Sequence, residues 1–215
     1  MFPSRLSEGY QSFLDGRFQT ESNRYKKLAE RGQNPEIMLI GCCDSRVSPE
    51  VIFDAGPGEM FVVRNVANLV PPFETDDASY HGTSAAIEFG VNGLNVKHIV
   101  VLGHASCGGI KAFHDRAAPL SQGGFIRKWM SQIEPVAQRL GDSTGDYLAD
   151  LKRLELAVVE ESLRNLMTFP FIRQRVERGE LKLHGSYFGV ATGILFLRDP
   201  DTGRFEPCLS APGQA

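Results

Sequence analysis

The residues of this chain best suited to chemistry are Cys42, His104 and Cys107. Two thiolates and an imidazole form a donor set for zinc. Three protein ligands also leave one tetrahedral position open, the arrangement of a catalytic rather than a structural zinc site. Cys42 follows the apolar run 37–41, and the His104-x-x-Cys107 pair follows the run 98–103. The ligands therefore fall in loops at the carboxyl ends of strands, where open α/β sheets gather their functional residues. Side chains alternate along an extended chain, so Cys42 and Asp44 share one side while Cys43 and Ser45 face the other. A ligand paired with a carboxylate makes a catalytic centre. Cys42 is assigned as the ligand and Cys43 as a buried packing residue.

Asp44 and Arg46 stand two apart, and a carboxylate–guanidinium pair keeps the acid ionised and oriented. Beside an open zinc position, Asp44 acts either by orienting bound water or by taking the position itself as a gate. The same pair in a core would be a plain structural ion pair. Arg64 anchors a loop or a subunit interface, or it touches substrate. Gly108-Gly109 permits a tight turn into a helix. His184 is read as a structural hydrogen-bonding residue and Cys208 as an incidental thiol. His81, His98 and His114 are possible proton relays, and spacing selects none of them.

The elements that must position these groups follow from the hydrophobic pattern. Runs 37–41, 60–63 and 98–103 read as buried strands of a parallel sheet. Ser48-Pro49-Glu50 supplies a cap, a first-turn proline and an early acid for a helix, and 83–92 reads as a helix stopped at Gly93. Helical spacing returns through Phe125, Trp129, Ile133, Val136 and Leu140, and again from Leu148 to Leu166. Strands begin at Leu181 and Ile194, the second turning at 199–203 towards Phe205. This order specifies one α/β domain over 1–215: a mainly parallel central sheet flanked by helices, with a late antiparallel edge strand. Leu6, Tyr10 and Leu14, continued by Phe18, Tyr25 and Leu28, mark residues 1–32 as a helical arm ahead of the core at 33–215. The arm could pack on its own domain or on a neighbouring subunit.

Composition bounds the partners. The 215 residues are 42% hydrophobic and 23% charged, with formal net charge −3. A mild negative charge without any Lys/Arg run argues against nucleic-acid and membrane-surface binding. No signal peptide or membrane-length apolar run is read, and four cysteines are too few for a disulfide framework, so the expected location is cytoplasmic.

Three motifs in order, Cys42-x-Asp44-Ser45-Arg46, Arg64-Asn65-Val66-Ala67-Asn68 and His104-x-x-Cys107-Gly108-Gly109, resemble the β-class carbonic anhydrases. The similarity runs from about residue 33 to 110, with weaker echoes at His184-Gly185 and in the last strands. The resemblance implies an α/β fold, a homodimer often paired into a homotetramer, and reversible hydration of CO2 to bicarbonate. It implies one Zn2+ per chain on Cys42, His104 and Cys107, with Asp44 and Arg46 as the catalytic dyad. Gln33, Phe61, Val66, Phe89 and Gly108 would line the CO2 pocket, some of them across the dimer interface. Plant-like members often carry Tyr at the position of Phe89, so one polar contact is missing here. A second subgroup holds a regulatory bicarbonate with a Trp and a Tyr where this chain has Leu39 and Phe188, so that inhibition is expected to be absent.

In the implied reaction, zinc-bound hydroxide attacks CO2 held in an apolar slot. Two thiolates and a neutral imidazole cancel the charge of the ion, so its water should ionise above the value near 7 of a three-histidine site, and activity should rise into alkaline pH. Competing readings are hydrolysis of carbonyl sulfide or carbon disulfide at the same site, a non-catalytic zinc protein, and a thiol enzyme using Cys43.

Overall fold

The structure is a computed structural model that describes residues 1–75, 80–117 and 124–208. Six strands form one sheet in the order β2-β1-β3-β4-β5-β6: β1 Ile37–Cys42, β2 Met60–Asn65, β3 His98–His104, β4 Lys182–Phe188, β5 Leu195–Arg198 and β6 Phe205–Pro207. The first four in that order run parallel, with Gly41 paired to both Arg64 and Leu102. β4–β5 and β5–β6 are antiparallel. The late edge therefore has two antiparallel strands where the sequence reading has one. Register brings the carboxyl ends of β1, β2 and β3 side by side, so the loops after them converge.

The central strands are apolar because helices cover them. β1 is buried from Met38 to Cys42. Its Met38 and Ile40, with Ile99 and Val101 of β3, pack against Val159 and Leu166 of α8 (Tyr147–Leu166) and Ile172 of α9 (Pro170–Glu177). Asp146 caps α8 by accepting from the backbone N–H of Leu148 and Ala149. α8 approaches β3 closely at Gly103, where a Cβ would meet Val159 Cγ2 at 2.5 Å. A second cluster surrounds the functional loops. In it Cys42, Ala67 and Cys107 pack with Ile110 of α5 (Gly108–His114), Met130 of α6 (Phe125–Met130), Val136 of α7 (Glu134–Leu140) and Leu154 of α8. Ile110, Met130, Val136 and Leu154, so buried, each contribute about 1.5–3 kcal/mol relative to exposure.

Three local features differ from the sequence reading. The expected helix at 83–92 is α4 (Gly82–Glu88) followed by a wide π turn over Phe89–Gly93, closed by the Leu94 N–H donating to Phe89 O at 2.9 Å. α9 has no counterpart in that reading, although Pro170 at its first turn was an available signal. The N-terminal arm is a helical hairpin, α1 Ser4–Asp15 and α2 Arg17–Arg31, broken at Gly16, with no buried residue in either helix. It touches the core through an Arg24–Glu59 ion pair at 2.9 Å and through Leu28, which lies over Gly58. The short helix announced by Ser48 is α3 (Pro49–Ile52).

Candidate metal centre

Cys42 is the last residue of β1, His104 the last of β3, and Cys107 lies at the amino end of α5 after a turn that holds Ser106 at φ 55. Their ligand atoms lie within 4.8 Å of one another, and all three residues are buried. Among the described residues this is the one cluster of three or more such side chains. The two sulfurs are 3.9 Å apart. Two thiolates on a tetrahedral zinc with bonds of about 2.3 Å would stand about 3.8 Å apart, so the separation suits that ion.

The imidazole fits as well. His104 Nδ1 lies 3.0 Å from the carbonyl of Ala105, which can only accept, so Nδ1 carries the proton. Nε2 then holds a lone pair, is buried, and has no hydrogen-bond partner among the described residues. An orphaned buried acceptor costs about 1–3 kcal/mol, and a cation would satisfy it. The hydrogen bond from Cys107 holds the Cys42 thiol well below its ordinary value, while the same contact and burial push Cys107 up.

Asp44 stands beside this cluster and outside it, held by Arg46. Arg46 Nε donates to Asp44 Oδ1 at 2.9 Å, its Nη2 to Oδ2 at 2.7 Å, and its backbone N–H to Oδ1 at 3.0 Å. This grip keeps the carboxyl far below the usual carboxylate range. Arg46 Nη2 also donates to Ser106 O at 3.0 Å, tying the loop after β1 to the loop after β3. Arg64 anchors the first loop from below, its Nε donating to Cys42 O at 2.8 Å and its Nη2 to Asp44 O at 2.7 Å. Of the roles open to Arg64, the structure displays the loop anchor. The second motif segment is stapled by Asn65, whose amide brackets both the N–H and the C=O of Leu69 at 2.9 and 2.8 Å. That staple holds Ala67 and Asn68 at φ 65 and 46, in the left-handed region.

Cys43 is exposed, which corrects its reading as a buried packing residue. With Cys42 turned inward to the metal loops, alternation sends its neighbour to the opposite side, where it is uncovered by any of the described residues.

A residue the sequence reading missed lies behind the cluster. Glu155 of α8 is only 2% exposed, and its carboxylate accepts the Cys107 N–H at 3.0 Å and the Tyr187 hydroxyl at 2.6 Å. Burial raises its pKa above the ordinary value, against the pull of these donors. The available signal was an acid on the apolar stripe of α8, one residue after Leu154 and four after Leu151.

The expected substrate residues separate into two groups within one chain. Val66 and Gly108 line a cavity of about 870 Å³ with Gly109, Phe113 and Met130. Phe61 and Phe89 pack against each other with centroids 5.7 Å apart and planes tilted by 46°, Phe89 half exposed, and Gln33 is exposed between α2 and β1. These three are absent from the cavity lining.

A mostly parallel α/β sheet with a Cys-His-Cys cluster and a clamped acid at its strand ends defines a class of metalloenzyme. The family model described as carbonic anhydrase matches residues 37–195. Beta carbonic anhydrase 3 of Arabidopsis thaliana is 34% identical over 202 residues, 92% of this chain and 77% of that relative. The chloroplastic beta carbonic anhydrase 5 of the same plant is 35% identical over 189 residues, and the match spans 85% of this chain but only 60% of that relative. Among solved structures, the beta-carbonic anhydrase CcaA superposes with a TM-score of 0.87 at 30% identity, covering 97% of this chain and 92% of that one. A beta-carbonic anhydrase of Sordaria macrospora, described as tetrameric, gives 0.76 at 31% identity and 96% coverage of both chains. The chain belongs to the carbonic anhydrase family, as an enzyme of its β class and of the plant-like subgroup.

Proposed function

We propose that this chain catalyses the reversible hydration of CO2 to bicarbonate and a proton, with one Zn2+ held by Cys42, His104 and Cys107. One observation carries the reading: two thiols and an imidazole, all buried, with their ligand atoms within 4.8 Å of one another and the ionised Asp44 held beside them rather than among them. Zinc bound there would act as a Lewis acid that lowers the pKa of a water in the fourth position.

The protein supplies the rest. Arg46 keeps Asp44 ionised and its two oxygens fixed, so that the carboxylate accepts a proton or hydrogen bond at the open side without ligating. Arg64 and Asn65 lock the two loops that carry Cys42 and Val66. Val66 and Gly108 present an apolar wall to a non-polar substrate. Phe61, Phe89 and Gln33 lie away from that wall, so they would meet substrate across an interface between copies, consistent with a homodimer or homotetramer. Leu39 is buried and Phe188 carries no hydroxyl, so bicarbonate should not inhibit through a second site. Cytoplasmic residence is part of the same proposal.

Stopped-flow CO2 hydration against pH, on protein of measured zinc content, tests the proposal. Fast turnover climbing into alkaline pH is expected. Negligible turnover across the range with one zinc per chain would sink it.

A further inference from the structure

A second pair of metal-ligating groups stands at the opposite end of β3. His98 Nδ1 and His184 Nε2 are 3.0 Å apart, their rings 5.2 Å between centroids and tilted by 42°. His98 pairs in register with Lys182, and Val100 with His184. His98 and His184 therefore project from the same face of neighbouring parallel strands. His184 is exposed and His98 half buried, so both rings can be reached from solvent. Six residues separate His98 from His104 along β3, which places the pair roughly 20 Å from the Cys-His-Cys cluster.

We propose that His98 and His184 form a second, cross-strand binding site for a divalent transition-metal ion, separate from the catalytic centre. Two imidazole nitrogens at about 2.05 Å from an ion, at right angles to each other, stand about 2.9 Å apart, whereas tetrahedral angles require about 3.3 Å. The pair stands close enough to reach one ion after a small ring movement, and imidazole donors suit Ni2+ or Cu2+, with waters completing the shell. Hard cations are disfavoured because the pair offers no carboxylate. Both rings are neutral when they share one N–H between them. On binding, that proton moves to the far nitrogen of its own ring, a small rotation of each ring turns both lone pairs to the ion, and no net charge is released. Burial first, and then the positive charge of Lys182, lower the pKa of His184, which favours its unprotonated, ligating form. Lys182 lies directly opposite His98 and opposes the incoming cation, so the site is moderate in strength.

The test is equilibrium dialysis and calorimetry of the full zinc-loaded chain with Ni2+ at pH 7.5. One Ni2+ beyond the resident zinc is expected in the unaltered protein. Binding should weaken at least tenfold in both His98→Gln and His184→Gln, and should not change in His114→Gln. Should a variant fail to fold, X-ray absorption at the nickel edge of the unaltered protein decides. Two imidazoles in the shell support the site, and fewer than two overturn it. Absence of a second metal, or equal binding by all the variants, overturns it too.

Discussion

Replacing Glu155 tests whether the metal loop is held from behind by a buried carboxylate. Its two oxygens satisfy two buried donors, the Cys107 N–H at 3.0 Å and the Tyr187 hydroxyl at 2.6 Å. Glu155→Ala strands both, at about 1–3 kcal/mol each, so about 2–6 kcal/mol in sum. That is a large part of the 5–15 kcal/mol by which a domain is typically stable. Glu155→Gln is the informative variant. It keeps an acceptor for Cys107 but offers Tyr187 a donor in place of an acceptor, a loss of about 1–2 kcal/mol.

The pH dependence has a definite sign. Burial raises the folded pKa of Glu155 above its ordinary value of 4.5, so the native state holds the proton more tightly than the unfolded chain. Its contribution is complete below the unfolded value and is lost as pH rises through the folded one. Glutamine does not titrate, so the deficit of Glu155→Gln should be larger at pH 5 than at pH 8. Urea unfolding of zinc-loaded protein at the two values, with zinc release to a chelator as the second readout, measures this. Stability and zinc retention equal to the unaltered protein at both values would refute the reasoning. Tyr187→Phe should weaken the protein through the same bond, so the double variant should cost less than the sum of the two.

Three further outcomes are expected. Cys42→Ser should lose zinc and activity, while Cys43→Ser, exposed and outside the cluster, keeps one zinc per chain by elemental analysis and a rate within about twofold, as for surface substitutions generally. Arg46→Ala releases Asp44 from its bidentate clamp, and kcat/KM for CO2 should fall on the order of a hundredfold, the low end of what a positioned acid–base group supplies, with zinc retained. Gly103→Ala would drive a Cβ to 2.5 Å from Val159 Cγ2 and push β3 off α8. It should lower stability by about 1–3 kcal/mol in thermal unfolding and loosen His104 beside it.

What the sequence determined by itself was local chemistry and periodicity. Short apolar runs ending in Cys42 and His104 specify buried parallel strands with ligands beyond them, because alternation and burial act within a few residues. The Asp44–Arg46 clamp is equally local, since two residues on one side of an extended turn meet without help from the rest of the chain. The sequence also carried the family, through three motifs whose order survives in one chain. Only tertiary structure decided the rest. That Cys43 faces solvent depended on which helices cover the end of β1. The role of Arg64 depended on its register opposite Gly41, which lets it reach two carbonyls of the loop beyond. Glu155 lies 48 residues from Cys107, and nothing in the local pattern around either residue announces their bond, which exists because α8 lies across β3 at Gly103. Contacts between residues distant in sequence are set by packing of whole elements, and periodicity can state which face is buried but not which partner it meets.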